Sequence, residues 1–169
     1  MRKLLVPFLI LLALPGTAWA SREGGPPPPQ QDGTLSIREG IGVVQLSARG
    51  SVTGRLDRGK LTVIDPNPFD DKRPVVYGAT KTTYRNNKTT VYQGRNIRFR
   101  LIGALFNSKI EGRGIYLSAI GRGRGWIDGV GDPAAGIFFD GVWSLNDEPY
   151  HSLPDDRLDF QLVAAPTPR

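Results

Sequence analysis

Between Thr34 and Ala164 the apolar residues fall at every second position in short runs, and no stretch carries a helical period. That alternation constrains the chain more than any motif in it, because a side-chain period of two puts successive residues on opposite faces of a strand. Asn96-Ile97-Arg98-Phe99-Arg100-Leu101 is the clearest run: Ile97, Phe99 and Leu101 turn inward, while Asn96, Arg98 and Arg100 meet water. Lys60-Leu61-Thr62-Val63 and Leu158-Asp159-Phe160-Gln161-Leu162 repeat the pattern, and Lys88-Thr89-Thr90-Val91-Tyr92 is a β-branched stretch suited to an exposed pleat. Gly, Pro, Asn and Asp separate the runs, and Gly121-Arg122-Gly123-Arg124-Gly125 holds too many glycines for a helix. The expected fold is all-β, an antiparallel β-sandwich or barrel, built as a single domain over residues 34–164.

The sequence also repeats itself. Leu46-Ser47-Ala48-Arg49-Gly50, followed by Gly54 and Leu56-Asp57, matches Leu117-Ser118-Ala119-Ile120-Gly121, followed by Gly125 and Ile127-Asp128. Gly40-x-Gly42 and Gly112-x-Gly114 extend the match upstream with a slip of one residue, which a β-bulge absorbs. Each copy reads as a hairpin, with Gly50 or Gly121 at a turn that needs positive φ and Gly54 or Gly125 inside a strand where the backbone is closely approached. The glycine pairs precede strands, so they do not form a nucleotide loop at a helix start. The stretch from Tyr92-Gln93-Gly94-Arg95-Asn96-Ile97-Arg98-Phe99-Arg100 to Gly114-Ile115-Tyr116-Leu117-Ser118-Ala119-Ile120-Gly121 resembles small secreted β-rich proteins of high-GC bacteria. The resemblance implies export and a β fold, and it carries over no activity and no functional residues.

The ends of the chain agree with export. Arg2 and Lys3 precede an apolar run, Leu4 to Leu14, and Pro15-Gly16 leads to small residues at Ala18 and Ala20. This is the organisation of a signal peptide cleaved after Ala20, and the apolar run is too short for a transmembrane helix. Residues 21–33, with Pro26-Pro27-Pro28-Pro29, read as a Gly/Pro-rich spacer, and residues 165–169 as a flexible tail. The chain has no cysteine, so disulfides contribute nothing to its stability, and no later segment is apolar enough to span a bilayer as a helix.

The net charge of +6 hides a segregation. Residues 72–124 hold 12 basic side chains against one acid, Glu111, whereas residues 125–169 hold two basic side chains against eight acids. Two arrangements follow. In one, Arg95, Arg98, Arg100, Arg113, Arg122 and Arg124 form a basic face for an anionic polymer of the cell envelope, with Tyr84, Tyr92 and Tyr116 available to stack. In the other, which close opposite charges favour, the acidic C-terminal strands pair beside the basic ones and neutralise them. Export removes nucleic acid as the partner.

Enzymatic chemistry is short of parts. His151 is the single histidine, and a site built from His151, Ser118 or Ser144 and Asp140 has no nucleophile-elbow motif behind it. The doublets Asp70-Asp71, Asp147-Glu148 and Asp155-Asp156 read as turns, since strand neighbours point to opposite faces. The stretches Asp65 to Asp71 and Asp128 to Asp132 offer oxygen donors without a known calcium spacing. An outer-membrane barrel is disfavoured by the polar outward positions of the best strand. The expectation is an exported, non-enzymatic β-domain without cofactors that binds an anionic envelope polymer or another envelope protein. A small secreted hydrolase, or a calcium- or glycan-binding β-sandwich, is the alternative.

Overall fold

The computed structural model describes residues 31–131 and 139–163, so the expected signal peptide, most of the spacer and the tail lie outside the described residues. Six strands and no helix are present among the described residues: β1 (Gly33–Ile64), β2 (Val75–Tyr84), β3 (Thr89–Gly129), β4 (Val142–Leu145), β5 (His151–Ser152) and β6 (Leu158–Leu162). All pairings are antiparallel. The order is β2-β3-β1-β4-β5, with β6 added to β3.

Two of these strands are far longer than a domain of this size accommodates straight. At about 3.3 Å per residue, the 41 residues of β3 would extend roughly 135 Å. The register shows how the length is folded away. Gly42 faces both Gly112 and Gly129, Leu56 both Ile97 and Ile115, and Ile64 both Thr89 and Asn107. Reciprocally, Lys109 lies between Gln45 and Thr62, so β1 passes one side of this β3 segment, turns, and returns along the other. The two strands coil together, and successive turns hydrogen-bond edge to edge.

Glycines make the coiling possible. Gly50 and Gly121 are register partners with φ of 147° and 154°, a region nearly closed to other residues. A methyl group on Gly50 would stand 2.2 Å from the Ile120 carbonyl oxygen, and one on Gly121 2.2 Å from that of Arg49. Positive φ was the expected property of both positions. Their place was not: they lie within continuous strands and pair with each other, so the hairpin reading of each repeat copy is corrected. The same spacing of small residues serves a bend in a long strand as well as a turn between short ones, and sequence does not distinguish the two.

The inward residues behave as the alternation requires, except Leu158 at the start of β6, which is exposed where the run placed it inward. Leu46, Leu56, Leu61, Ile97, Leu101, Ile110, Ile115, Ile127 and Leu162 are almost wholly buried in one core cluster, each contributing about 1.5–3 kcal/mol by leaving water. Asn96, Arg98 and Arg100 are exposed, as expected, with Asn96 at φ 56° marking a bulge. Among the described residues the sheet does not close: β2 pairs only with β3, β5 only with β4, and β6 only with β3, so the barrel alternative is set aside.

Candidate functional site

The outward face of β3 around Phe99 carries several positive side chains. Arg55 on β1 lies between Arg98 and Tyr116 of β3, and Tyr77 of β2 is the next partner beyond Arg98. The Arg55 guanidinium sits 4.1 Å from the Tyr116 ring centroid, and the Tyr116 hydroxyl donates to Glu39 Oε1 at 3.2 Å. Glu39 thereby fixes the ring that holds the arginine. Two residues along, Arg100 faces Thr53 on one side and Val75 on the other. The pleat explains the gathering: Arg98 and Arg100 share a face because their spacing is two, and the register brings Arg55 beside them.

Arg98 and Arg100 also line a groove of about 570 Å³ together with Lys72, Arg73, Tyr77 and Asp71. Asp71 is the single acid there, against four cations. It is ion-paired to Lys72 at 2.9 Å, and the hydrogen bond from that ammonium holds its carboxyl below the usual range. Arg73 donates to the Pro68 carbonyl, which anchors the loop to the groove wall. A second row lies nearer the glycine corner, where Arg58 of β1 faces Arg95 on one side and Arg113 on the other. Like charges placed directly across a sheet repel, so the arrangement costs stability.

The six arginines expected from the sequence therefore separate. Arg98 and Arg100 join Arg55, while Arg95 and Arg113 flank Arg58. Arg122 faces Arg49 and pairs with Asp32 at 3.1 Å. Arg124 lies between Ser47 and Gln161 in a different groove. The expectation that acidic C-terminal strands pair beside the basic ones is met at β6, which lies against the Arg124 stretch, but the expected neutralising ion pairs are not seen among the described residues. β6 pairs only with Gly123–Ile127 of β3, and among the described residues no C-terminal acid forms an ion pair with any of the six. β6 spends its own charge locally, with Arg157 bonded to Asp159 at 2.7 Å. Arg55 and Arg58 escaped the sequence reading because they lie outside the basic segment 72–124, Tyr77 because nothing in that segment marked it, and only the register makes them neighbours. Of the tyrosines singled out, Tyr116 joins the face, whereas Tyr84 and Tyr92 lie at the far end of the β2–β3 pair.

Of the residues considered for hydrolysis, Ser118 and Ser144 flank Ser36 and line one groove, whereas Asp140 and His151 do not line it. Ser118 is exposed on the outer face opposite Thr53, and the Ser144 hydroxyl donates to the Glu148 carbonyl at 2.5 Å. His151 is exposed on β5 beside Trp143. Asp140 is buried against Gly129, and its Oδ2 has no hydrogen-bond partner among the described residues. Burial raises its pKa, the charge of Asp155 adds to the rise, and backbone N–H groups offset part of it. The acidic doublets occupy turns and bends: Asp70 accepts from the Lys72 N–H at 2.8 Å, and Asp65 from that of Asn67 at 3.0 Å. Among the described residues no three acidic or histidine side chains gather as a metal site.

Comparison with protein-family models, with curated proteins and with solved structures finds no match to this chain. The class it belongs to is thus defined by its own architecture: an antiparallel all-β domain of two coiled long strands, with an arginine-rich outer face.

Proposed function

We propose that this chain is an exported, non-enzymatic binding domain that holds an anionic envelope polymer on the face formed by Arg55, Arg98, Arg100, Lys72 and Arg73. The observation that carries the reading is the juxtaposition of Arg55 and Arg98 across the sheet, flanked by tyrosines and without an acidic counter-ion among the described residues. A fold does not retain such repulsion for stability, whereas a ligand phosphate or carboxylate relieves it and takes bidentate hydrogen bonds from guanidinium groups. Arg95, Arg58 and Arg113 extend the track along the polymer. The finer architecture belongs to the same proposal: the turns of the coil form the two layers of a sandwich, and the repeat copies are equivalent units within it. Gly54 lies under the Phe99 ring and Gly125 under that of Phe160, which supports the equivalence.

Binding to lipoteichoic acid and to polyphosphate over a salt series tests the function. Affinity is expected to fall steeply as salt rises, because exposed charges are screened within about 10 Å at 0.1 M. Arg98→Glu with Arg100→Glu is expected to weaken binding at least about tenfold, equivalent to about 1.4 kcal/mol, while Arg85→Glu, at the exposed β2–β3 turn, leaves it near wild type. Absence of binding, or binding indifferent to salt and to the double variant, would overturn the proposal.

A further inference from the structure

The outward positions at the β6 end have a different chemistry. Two adjacent cross-strand rows meet there, Asp159-Trp126-Gln45 and Gln161-Arg124-Ser47-Asn107, and their side chains line an open groove of about 670 Å³. Three primary amides, Gln45, Asn107 and Gln161, come from β1, β3 and β6 and engage no other side chain among the described residues. Each amide offers two donors and an acceptor. Trp126 forms part of the wall. The Arg157 guanidinium stacks 4.8 Å from its ring centroid and is itself tied to Asp159 at 2.7 Å, so the indole is held in place before any ligand arrives.

An apolar ring edge beside convergent amides matches a sugar. A pyranose presents C–H groups that pack on the indole edge beside the stacked Arg157 guanidinium, and hydroxyls that both donate and accept, which amides satisfy and single-sign charges do not. Charge is nearly balanced here: Arg157 is paired with Asp159, and Arg124 is left as one further donor. We infer that this groove binds a neutral oligosaccharide, with the sugar ring against Trp126 and its hydroxyls on Gln45, Asn107 and Gln161. The groove uses none of the arginines assigned to the polyanion face, so the two readings stand or fall separately.

Titration of the full chain with chitotetraose and cellotetraose, followed by tryptophan emission and calorimetry, tests the inference. Binding of at least one of them is expected to be unchanged between about 50 and about 500 mM salt, since no ligand charge is screened. It is expected to weaken at least about tenfold in Trp126→Ala and in Asn107→Ala, and to persist in the Arg98→Glu, Arg100→Glu double variant. Gln161→Ala, at an exposed edge position, keeps the test decisive if Trp126→Ala unfolds the domain. Failure to bind either sugar, or binding that tracks salt and the arginine variant but ignores Asn107→Ala and Gln161→Ala, would overturn it.

Discussion

Gly50 shows how far one residue's backbone governs this molecule. Its φ of 147° and the Ile120 carbonyl 2.2 Å from any added methyl leave no room for a side chain. Gly50→Ala is therefore expected to destabilise the fold by roughly 1–3 kcal/mol from backbone strain alone, with the clash adding to it. Urea unfolding with an unchanged m-value measures this. Asp140 makes the opposite case, a residue that weakens the native state. Because its folded pKa is raised above the ordinary 3.8, the native state binds its proton more tightly than the unfolded chain does. Its contribution is fully present below that ordinary value and is lost as pH rises through the raised one. Asp140→Asn is expected to stabilise the protein at pH 7 by about 1–2 kcal/mol, the cost of an unpaired buried charged group, with little gain near pH 3. Melting temperatures at the two pH values check it. Glu111 runs the other way. Burial pushes its carboxyl up, but hydrogen bonds from Lys60 and Lys109, at 2.7 and 3.0 Å, hold it below the usual range. Its contribution is present above the ordinary 4.5 and is lost as pH falls through the lowered value.

At the scale of elements, the strands that alternation announced are strands, and Ile97, Phe99 and Leu101 face the core as their spacing demands. What the pattern did not disclose is that short runs join into strands of 32 and 41 residues. Glycine between two runs is compatible with a turn or with a bend, and the choice depends on which partner strand awaits beyond it. The edge strand β6 depends on such a partner. Its Phe160 lies over Gly125, where a methyl group would come within 2.7 Å of the ring, and packs 6.3 Å from Trp143. Phe160→Ala is expected to cost about 3–5 kcal/mol and to loosen β6 first, seen as faster amide exchange at Leu158–Leu162 than in β1. Phe99 lies over Gly54 in the same way, where a methyl group would come within 2.6 Å of its ring.

At the scale of the whole molecule, charge and topology are independent facts that meet on the surface. Segregation along the sequence left two arrangements open, and the sheet order separates them: β4 and β5 continue beyond β1, β6 joins the far part of β3, and the central arginines are left without C-terminal acids beside them among the described residues. The proposed polymer and oligosaccharide sites accordingly draw on different rows of β1 and β3, the second joined by β6, and are expected to differ in their response to salt.

The sequence by itself determined that the chain is all-β and which face of its clearest strands is buried, since a period of two is a local property readable from neighbours. It also marked Arg98 and Arg100 as outward partners, because two residues on one strand need no tertiary information to share a face. Only the tertiary structure decided that Arg55 stands between Arg98 and Tyr116, that Gly50 meets Gly121, and that Gln45, Asn107 and Gln161 line one groove. Those neighbours lie tens of residues apart, and their meeting is set by register between coiled strands, a long-range quantity that no window of sequence contains.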